Sequence, residues 1–372
     1  MPAPVTTNPQ TLLASNTSAI YIKTQATLGA GAWNPTLATP TYPAAGDAVR
    51  VLGTPSWTPR GAGIIARGDQ MTPWGGMQAP RTGGLGWDIT MQTEIYWYFT
   101  TTDTLTLPNT QLSPLFRAMP WDISLTNSGL DTTIAVQPFF IAGAGAVYGR
   151  GGSNPSPAPP AWTVEPFTIS MVETNGEVFT AYDCIATCKI SWDYGQRILL
   201  DWTIKGKWVN VASYNSSYPT PTYATIADQP PLIGTNCSVA MGSGSLLTNI
   251  NALDKISFEP GWGLQDVGDM REAYGFGLGF ASLTNAPTIE MQVADFSLTV
   301  QPDWTDAQAN TSSTTCVVTI TVASTDTITI TLNNVYQMAF PSKVDSNGHR
   351  ATGIKLGASP TSATTQASIV FA

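Results

Sequence analysis

The sequence predicts an almost entirely β protein with a minor α component, and three observations support that prediction. Segments in which apolar and polar residues alternate recur from about residue 48 to the C-terminus. The chain contains 33 Gly and 28 Pro, which separate these segments as turns between strands require. Only residues 107–121 carry apolar residues at helical spacing.

The clearest strands lie in two blocks. In LGWDITMQTEIYW (85–97), Ile89, Met91, Thr93 and Ile95 would share one face, with polar residues on the other. Residues 167–208 alternate in the same way, and Asn175-Gly176 and Tyr194-Gly195 predict turns between antiparallel strands. Two alternating strands are also predicted around Ser324-Thr325-Asp326, and a further strand-like run closes the chain.

The single predicted helix lies within LPNTQLSPLFRAMPW (107–121). Asn109 or Thr110 can cap its N-terminus, and Pro120 ends it. Its apolar face would consist of Leu112, Leu115, Phe116 and Met119.

One motif occurs twice. PWGGMQ (73–78) precedes a strand containing Ile89, Met91 and Gln92, and PGWGLQ (260–265) precedes a strand containing Ile289, Met291 and Gln292. Two matches in the same order predict tandem copies of one β domain. We therefore divide the chain into an extended N-terminal arm (1–47), a first domain (48–208), a proline-rich linker (209–233) and a second domain (234–372).

The composition excludes several classes of function. Only 11% of residues are charged, the net charge is −9, and no basic cluster is present to hold nucleic acid. A surface so poor in charge favours self-association. Neither a signal peptide nor a run of 18 apolar residues is found, so we expect no membrane anchoring.

The sequence offers little catalytic chemistry. Its single histidine, His349, lies in a turn-rich segment, and no nucleophile, phosphate-loop, dinucleotide or zinc-hydrolase motif is present. Asp266, Asp269 and Glu272 could surround a cation, but Arg271 among them favours a solvated loop with salt bridges. The cysteines, with Cys184 and Cys188 too far apart along one strand for a disulfide, are expected to be buried and reduced. We therefore expect no enzyme activity, no cofactor and no metal site.

The 12 Trp residues leave one alternative open. Aromatic side chains can line a sugar-binding face, but they also supply large rigid contacts in β cores and between subunits. A carbohydrate- or receptor-binding β protein of a virion is therefore the alternative to a self-assembling structural protein.

Roughly residues 50–372 resemble the tail tube proteins, or major tail proteins, of bacteriophages with long non-contractile tails. The resemblance rests on the order of a glycine/proline loop, the WDITMQTEIYW strand, a small helix and a hairpin. The helix carries Leu115-Phe116-Arg117-Ala118, where the family usually reads LLRA, and the hairpin ends in LDWTIKGKW (200–208). The closing HRATGI (349–354) is similar to the family's final turn. The arm at 1–47 and the loop at 147–162 are additions to this pattern.

The resemblance implies β-sandwich or barrel domains, each flanked by a short helix, that join side by side into rings. Because tail tubes have sixfold rings, two tandem domains imply a homotrimer that forms a pseudo-hexameric ring. The implied location is the virion tail, assembled in the host cytoplasm. The implied partners are further copies of the chain, the tape-measure protein, other tail proteins and phage DNA in transit, without specific binding. The repeated strand would face the lumen or form an edge.

The loops at 67–86 and 259–281 are then the natural contacts between stacked rings. Their mixed charges suit pairing between rings, and the candidate contacts are Arg67, Asp69, Trp74, Arg81, Trp262, Asp266, Asp269, Arg271 and Glu272.

Overall fold

A computed structural model describes residues 18–25, 31–33, 41–61, 64–71, 77–82, 85–94, 112–119, 132–136, 166–173, 178–208, 218–223, 237–242, 253–265, 280–283, 286–294, 312–321, 327–346, 348–359 and 366–371. Within these ranges the protein is almost entirely β, as predicted. Sixteen of the described strands form one antiparallel sheet, which does not close into a barrel.

The first half of the chain contains ten of the described strands and the short helix. They are β1 (Ala19–Thr24), β2 (Ala48–Val49), β3 (Leu52–Gly61), β4 (Ile64–Met71), β5 (Met77–Thr82), β6 (Leu85–Glu94), α1 (Ser113–Arg117), β7 (Thr132–Val136), β8 (Phe167–Val172), β9 (Val178–Asp193) and β10 (Leu199–Trp208).

The second half contains the other ten. They are β11 (Cys237–Met241), β12 (Leu253–Glu259), β13 (Trp262–Gln265), β14 (Phe280–Leu283), β15 (Thr288–Ala294), β16 (Ser312–Thr321), β17 (Thr327–Gln337), β18 (Ser342–Ser346), β19 (His349–Ala358) and β20 (Ala367–Phe371).

Neighbouring strands follow the same order in both halves. In the first half the spatial order is β1-β8-β9-β10-β6-β3, and in the second it is β11-β16-β17-β19-β15-β12. Each half also inserts a separate hairpin at the same point, β4–β5 between β3 and β6, and β13–β14 between β12 and β15. We call two residues corresponding when they occupy matched positions in these two orders.

The alternation of apolar residues places the core. Ile89, Met91, Thr93 and their counterparts on neighbouring strands are buried, whereas Thr90 and Gln92 lie on the opposite, more polar face. The face predicted for β10 is also confirmed, because Ile198, Leu200, Trp202 and Ile204 are all buried. One contiguous hydrophobic cluster includes buried side chains from both halves.

The helix is shorter than its sequence pattern predicted. It spans five residues, and Leu112, not Asn109 or Thr110, occupies the N-cap position. Pro114 in the first turn fits this late start, because proline is tolerated only where its missing N–H is not needed. The predicted apolar face is confirmed: Leu112, Leu115, Phe116 and Met119 are buried, and the Phe116 ring packs edge-on against Trp202 with centroids 5.1 Å apart.

Part of the expected N-terminal arm belongs to the sheet. Strand β1 pairs with β8 over six residues, and Ile20, Tyr21 and Ile22 are buried. Residues 19–24 are therefore held by a strand of the same chain. Burial of Tyr21 raises its pKa to about 12, so the hydroxyl stays neutral and donates to the Pro219 carbonyl in the segment expected as linker.

A buried polar cluster fixes the end of β1 to a bulge between β9 and β10. The Gln25 side chain donates to Asp183 Oδ1 at 2.8 Å and accepts from the Asp183 amide at 2.7 Å. Lys207 Nζ lies 3.0 Å from Asp183 Oδ2, an ion pair without the alignment of a hydrogen bond. Asp183 has a positive φ of 49°, and its side chain is fully buried. A buried carboxylate requires such partners.

Candidate assembly surface

The two halves are joined by a strand pair that continues the sheet from one half into the other. Strand β9 is 16 residues long, and its last residues extend beyond β8. Strand β12 of the second half fills this position, antiparallel, with Phe258 opposite Ile190 and Ser257 opposite Ser191. We call this pair the internal junction.

The internal junction is closely packed on one face and polar on the other. Ile190, Trp192, Ile256 and Phe258 are at most 3% exposed and belong to the common core. On the polar face, Lys255 Nζ lies 3.3 Å from Asp193 Oδ1. The Tyr194 amide also donates to the Asp254 carbonyl at 2.7 Å, just beyond the paired strands.

Several described strands have a partner strand on one side only, and two of them, β3 and β18, correspond in position to strands of the internal junction. Strand β3 pairs with β6 on one side only, and β18 pairs with β19 on one side only. An unpaired edge presents a row of amide and carbonyl groups that can pair with another chain. Close to β18, Phe340 is 60% exposed and Met338 is 39% exposed, although both are large apolar residues.

The polar face of the sheet carries paired charges. Lys205 lies 3.8 Å from Asp88, Lys355 lies 2.5 Å from Glu290, and the Lys255–Asp193 pair lies between them along the sheet. A groove of about 310 Å³ on the same face runs along β12, β15, β19 and β18. Because these charges neutralise each other, the described part of this face offers no basic patch for binding phosphates.

The repeated strands predicted from the sequence are β6 and β15, and they lie at corresponding positions. Ile89 pairs with Ile204 on β10 and Met91 with Trp202, while Ile289 pairs with Leu356 on β19 and Met291 with Ile354. The four isoleucine and methionine residues of the motif are all buried. Gln92 and Gln292 lie on the polar face, where Gln92 donates to Asp201 Oδ1 at 2.7 Å.

The candidate ring-to-ring residues fall on or beside the two inserted hairpins. Arg67 and Asp69 lie in β4, Arg81 in β5 and Trp262 in β13, where the backbone alone is described. Part of the predicted loops at 67–86 and 259–281 is therefore paired strand. Trp74, Asp266, Asp269, Arg271 and Glu272 lie outside the described residues, as does Ile95 of the repeated-strand face.

The described cysteines are free thiols, as expected from their spacing. Cys184, Cys188 and Cys316 are buried, and burial raises the pKa of Cys316 to about 12. Cys237 differs from the expectation because it is partly exposed, yet desolvation still raises its pKa to about 11. Neutral thiols of this kind are poor nucleophiles and poor metal ligands.

Sequence reasoning missed the open edge of β18. SKVDS (342–346) contains one apolar residue, Val344, so it lacks the alternation that marks a strand. The signals that could have identified it are Pro341 before the strand and the Asn347-Gly348 bend after it, where Gly348 has a φ of +80°.

Within the described ranges, no cluster of three or more potential metal ligands is found. The helix that the structure describes is far too short to cross a bilayer. No protein-family model matches the chain, and no curated protein is significantly similar to it in sequence.

Proposed function

We propose that the chain is a structural subunit that assembles into stacked rings and forms a hollow tube, the tail tube of a bacteriophage with a long non-contractile tail. In this proposal the two halves are tandem tube domains, and three chains form a pseudo-hexameric ring. The observation that carries the proposal is the matched strand order of the two halves, each with a hairpin inserted at the same point.

The internal junction supports ring formation because it provides an example of one domain extending the sheet of the next. The edge strand of the second half, β12, pairs with the extension of β9 in the first half. Each of the two similar units uses one edge in the internal junction. A second edge of each unit is therefore available for the same kind of junction with another chain. If the same junction forms between chains, the repeated rotation closes a ring or generates an open helix.

The distribution of polar residues supports a tube with a smooth lumen. The face opposite the core carries neutralised ion pairs, including Lys255–Asp193 and Lys355–Glu290. A channel lined by such a face would let DNA pass without holding it, because no excess of lysine or arginine would displace counterions from its phosphates. The tape-measure protein and other tail proteins would be the remaining partners, in a virion tail assembled in the host cytoplasm.

The inserted hairpins are the proposed contacts between rings. Each is a small sheet of its own, paired β4–β5 or β13–β14, rather than part of the large sheet. Replacing Arg271 and Glu272 together with Ala should impair stacking and leave ring formation intact. Tubes that polymerise like the unmodified protein would contradict this role.

The test of the proposed function is electron microscopy combined with light scattering on the purified chain across a concentration series. We expect hollow tubes, or rings with apparent sixfold symmetry and about three times the 39.4 kDa chain mass. A monodisperse monomer at high concentration would contradict the proposal and favour the binding protein. A glycan array then distinguishes a tube protein from a carbohydrate-binding protein, because the tube protein should bind none of the glycans.

A further inference from the structure

We propose that the open edge of β18 binds strand β3 of the next copy of the chain, antiparallel, with Ser56 opposite Val344 and Trp57 opposite Lys343. We call this pairing the external junction. It rests on the proposed ring assembly and deepens it, because it names the strands and the register by which the ring closes.

The consecutive strands β17 and β18 of the second half correspond to the single strand β9 of the first half. Strand β9 pairs with β10 along most of its length. In the second half β17 pairs with the C-terminal end of β19, and β18 pairs with its N-terminal end. Together, β17 and β18 therefore occupy the place of β9, with an interruption at residues 338–341.

The residues of β18 can be matched with the residues of β9 that form the internal junction. On β10, Leu200 pairs with Ile190 and with Thr93 of β6. On β19, Thr352 pairs with Lys343 and with Val293 of β15. Since the repeated motif matches Thr93 to Val293, Lys343 corresponds to Ile190, and Val344 corresponds to Ser191.

Strand β12, which pairs with β9 at the internal junction, corresponds to β3 in the first half. Phe258 of β12 pairs with Ile289, and Trp57 of β3 pairs with Ile89, the matching residue of the repeated motif. Trp57 therefore corresponds to Phe258, and the preceding Ser56 corresponds to Ser257. The internal register, Phe258 opposite Ile190, then becomes Trp57 opposite Lys343.

The side of β18 that matches the internal junction has no partner strand within the described ranges. Strand β12 lies on the side of β9 that faces away from β10. The matching side of β18 faces away from β19, and no described strand occupies it. Among the described strands, β3 likewise has a partner on one side only, so both strands of the external junction offer an edge to a second chain.

Burial of the matched aromatic residues agrees with this assignment. Phe258 is completely buried, whereas Trp57 is only partly buried against Trp87 and Phe179. Pairing with β18 would cover Trp57 as β9 covers Phe258. The Lys343 side chain, which donates to Thr352 in the described structure, has an aliphatic stem that can lie against an indole ring.

A disulfide test is suited to this register. Directly opposed residues of an antiparallel pair have Cα atoms about 4.5–5.5 Å apart, within the range that a disulfide spans. The double variant Ser56→Cys/Val344→Cys should form covalent trimers on mild oxidation of assembled protein, and each single variant should not. The matched control is Ser191→Cys/Ser257→Cys, which should cross-link within one chain at the internal junction.

The outcomes separate the junction from the proposed function. The double variant could form rings or tubes and yet run as a monomer on a non-reducing gel, while the control cross-links. This result would overturn the external junction and leave the tube assignment in place. Covalent chains longer than three would support the strand pairing and overturn the three-copy ring. An unmodified protein that forms no assembly overturns both.

A measurement without substitutions guards against variants that fail to fold. Hydrogen exchange of residues 342–346 should slow when the unmodified chain assembles, because their outward amides become paired. Unchanged exchange in this segment, in samples where microscopy finds rings, would overturn the external junction.

Discussion

The internal junction and the open edge of β18 occupy corresponding places but differ in chemistry. At the internal junction Ile190 and Trp192 are buried, whereas the corresponding Lys343 and Asp345 are exposed on β18. The internal partner is always present because it belongs to the same chain. In the proposed ring, a partner from another copy would be absent until assembly, and charged residues on an exposed edge would limit uncontrolled strand pairing before then.

The continuity of the strands differs in the same way. Strand β9 runs without a break through its junction, while β17 and β18 are separated by residues 338–341, where Phe340 is exposed. The internal junction is stabilised by core packing, and the proposed external junction would depend more on backbone pairing. Substitutions at matched positions can test this view.

The largest expected effect is at the aromatic pair Phe258 and Trp57. Phe258→Ala should lower the free energy of unfolding of the unassembled chain by about 3–5 kcal/mol, because it removes a completely buried ring. Trp57→Ala should cost less than about 2 kcal/mol in the unassembled chain, because its ring is partly exposed. Denaturant unfolding at low protein concentration measures both.

The same two variants should rank differently in assembly. Trp57→Ala should weaken ring formation more than its effect on the unassembled chain suggests, because the external junction would bury Trp57. Equal losses of stability for the two variants, with unchanged assembly by Trp57→Ala, would contradict the difference between the junctions.

The second prediction concerns a buried hydrogen bond present in one half only. Trp202 Nε1 donates to Thr93 Oγ1 at 2.9 Å, and both residues are buried. The corresponding pair, Ile354 and Val293, is apolar. Thr93→Val should cost about 1–3 kcal/mol, because it leaves the indole N–H unpaired in the core.

The reciprocal variant is the control for this hydrogen bond. Val293→Thr should change the stability by less, about 0–1 kcal/mol, because the new hydroxyl lies directly opposite the buried Thr352 hydroxyl, which can pair with it. The double variant should show additive effects, because the two sites use different partners. A neutral Thr93→Val substitution would mean that the hydrogen bond does not stabilise the first half.

The third prediction compares Gly206 with the corresponding Ala358. A Cβ atom on Gly206 would lie 2.5 Å from Cys184 Sγ and 3.0 Å from Ala181 Cβ, at the bulge between Lys205 and Lys207. Gly206→Ala should therefore cost about 1–3 kcal/mol through overpacking. The β17–β19 ladder has no such shift at Ala358, so Ala358→Gly should cost only about 0.5–1 kcal/mol, through flexibility. Thermal unfolding of both variants tests the order.

These positions explain how much of the structure the sequence could predict. Strands that bury one face within the chain, such as β6, β10 and β16, alternate clearly and were predicted. Strand β18 was not, because Lys343 and Asp345 are suited to an edge against which no described strand pairs. The strand in the expected arm was overlooked because AIYIKT (19–24) is short and its partner β8 lies more than 140 residues away.

The candidate assembly surface could also be predicted only in part. The repeated Ile-x-Met-Gln motif predicted the matched positions of β6 and β15, since burial of one face constrains the sequence on both strands. The register of the junctions depends on which edges remain open in the folded chain. Hydrophobic periodicity carries no information on that point, so the open edges became visible only in the strand order.

The smallest expected effect is at the ion pair of the internal junction. Lys255 Nζ lies 3.3 Å from Asp193 Oδ1, but both side chains are nearly half exposed, at 48% and 45%. Solvent screening limits such a pair to about 0–1 kcal/mol. A double-mutant cycle with Lys255→Ala and Asp193→Ala, measured by denaturant unfolding at low and high salt, should give a coupling energy in this range that decreases with salt.

This ion pair distinguishes the internal junction from the proposed external junction, which has no counterpart to it. Asp193 corresponds to Ser346, which cannot form an ion pair, so assembly should not respond to salt through this position. Ring formation by the Lys255→Ala variant should therefore match that of the unmodified chain. A coupling energy well above 1 kcal/mol, or a loss of rings in that variant, would mean that charge pairing rather than core packing stabilises the internal junction.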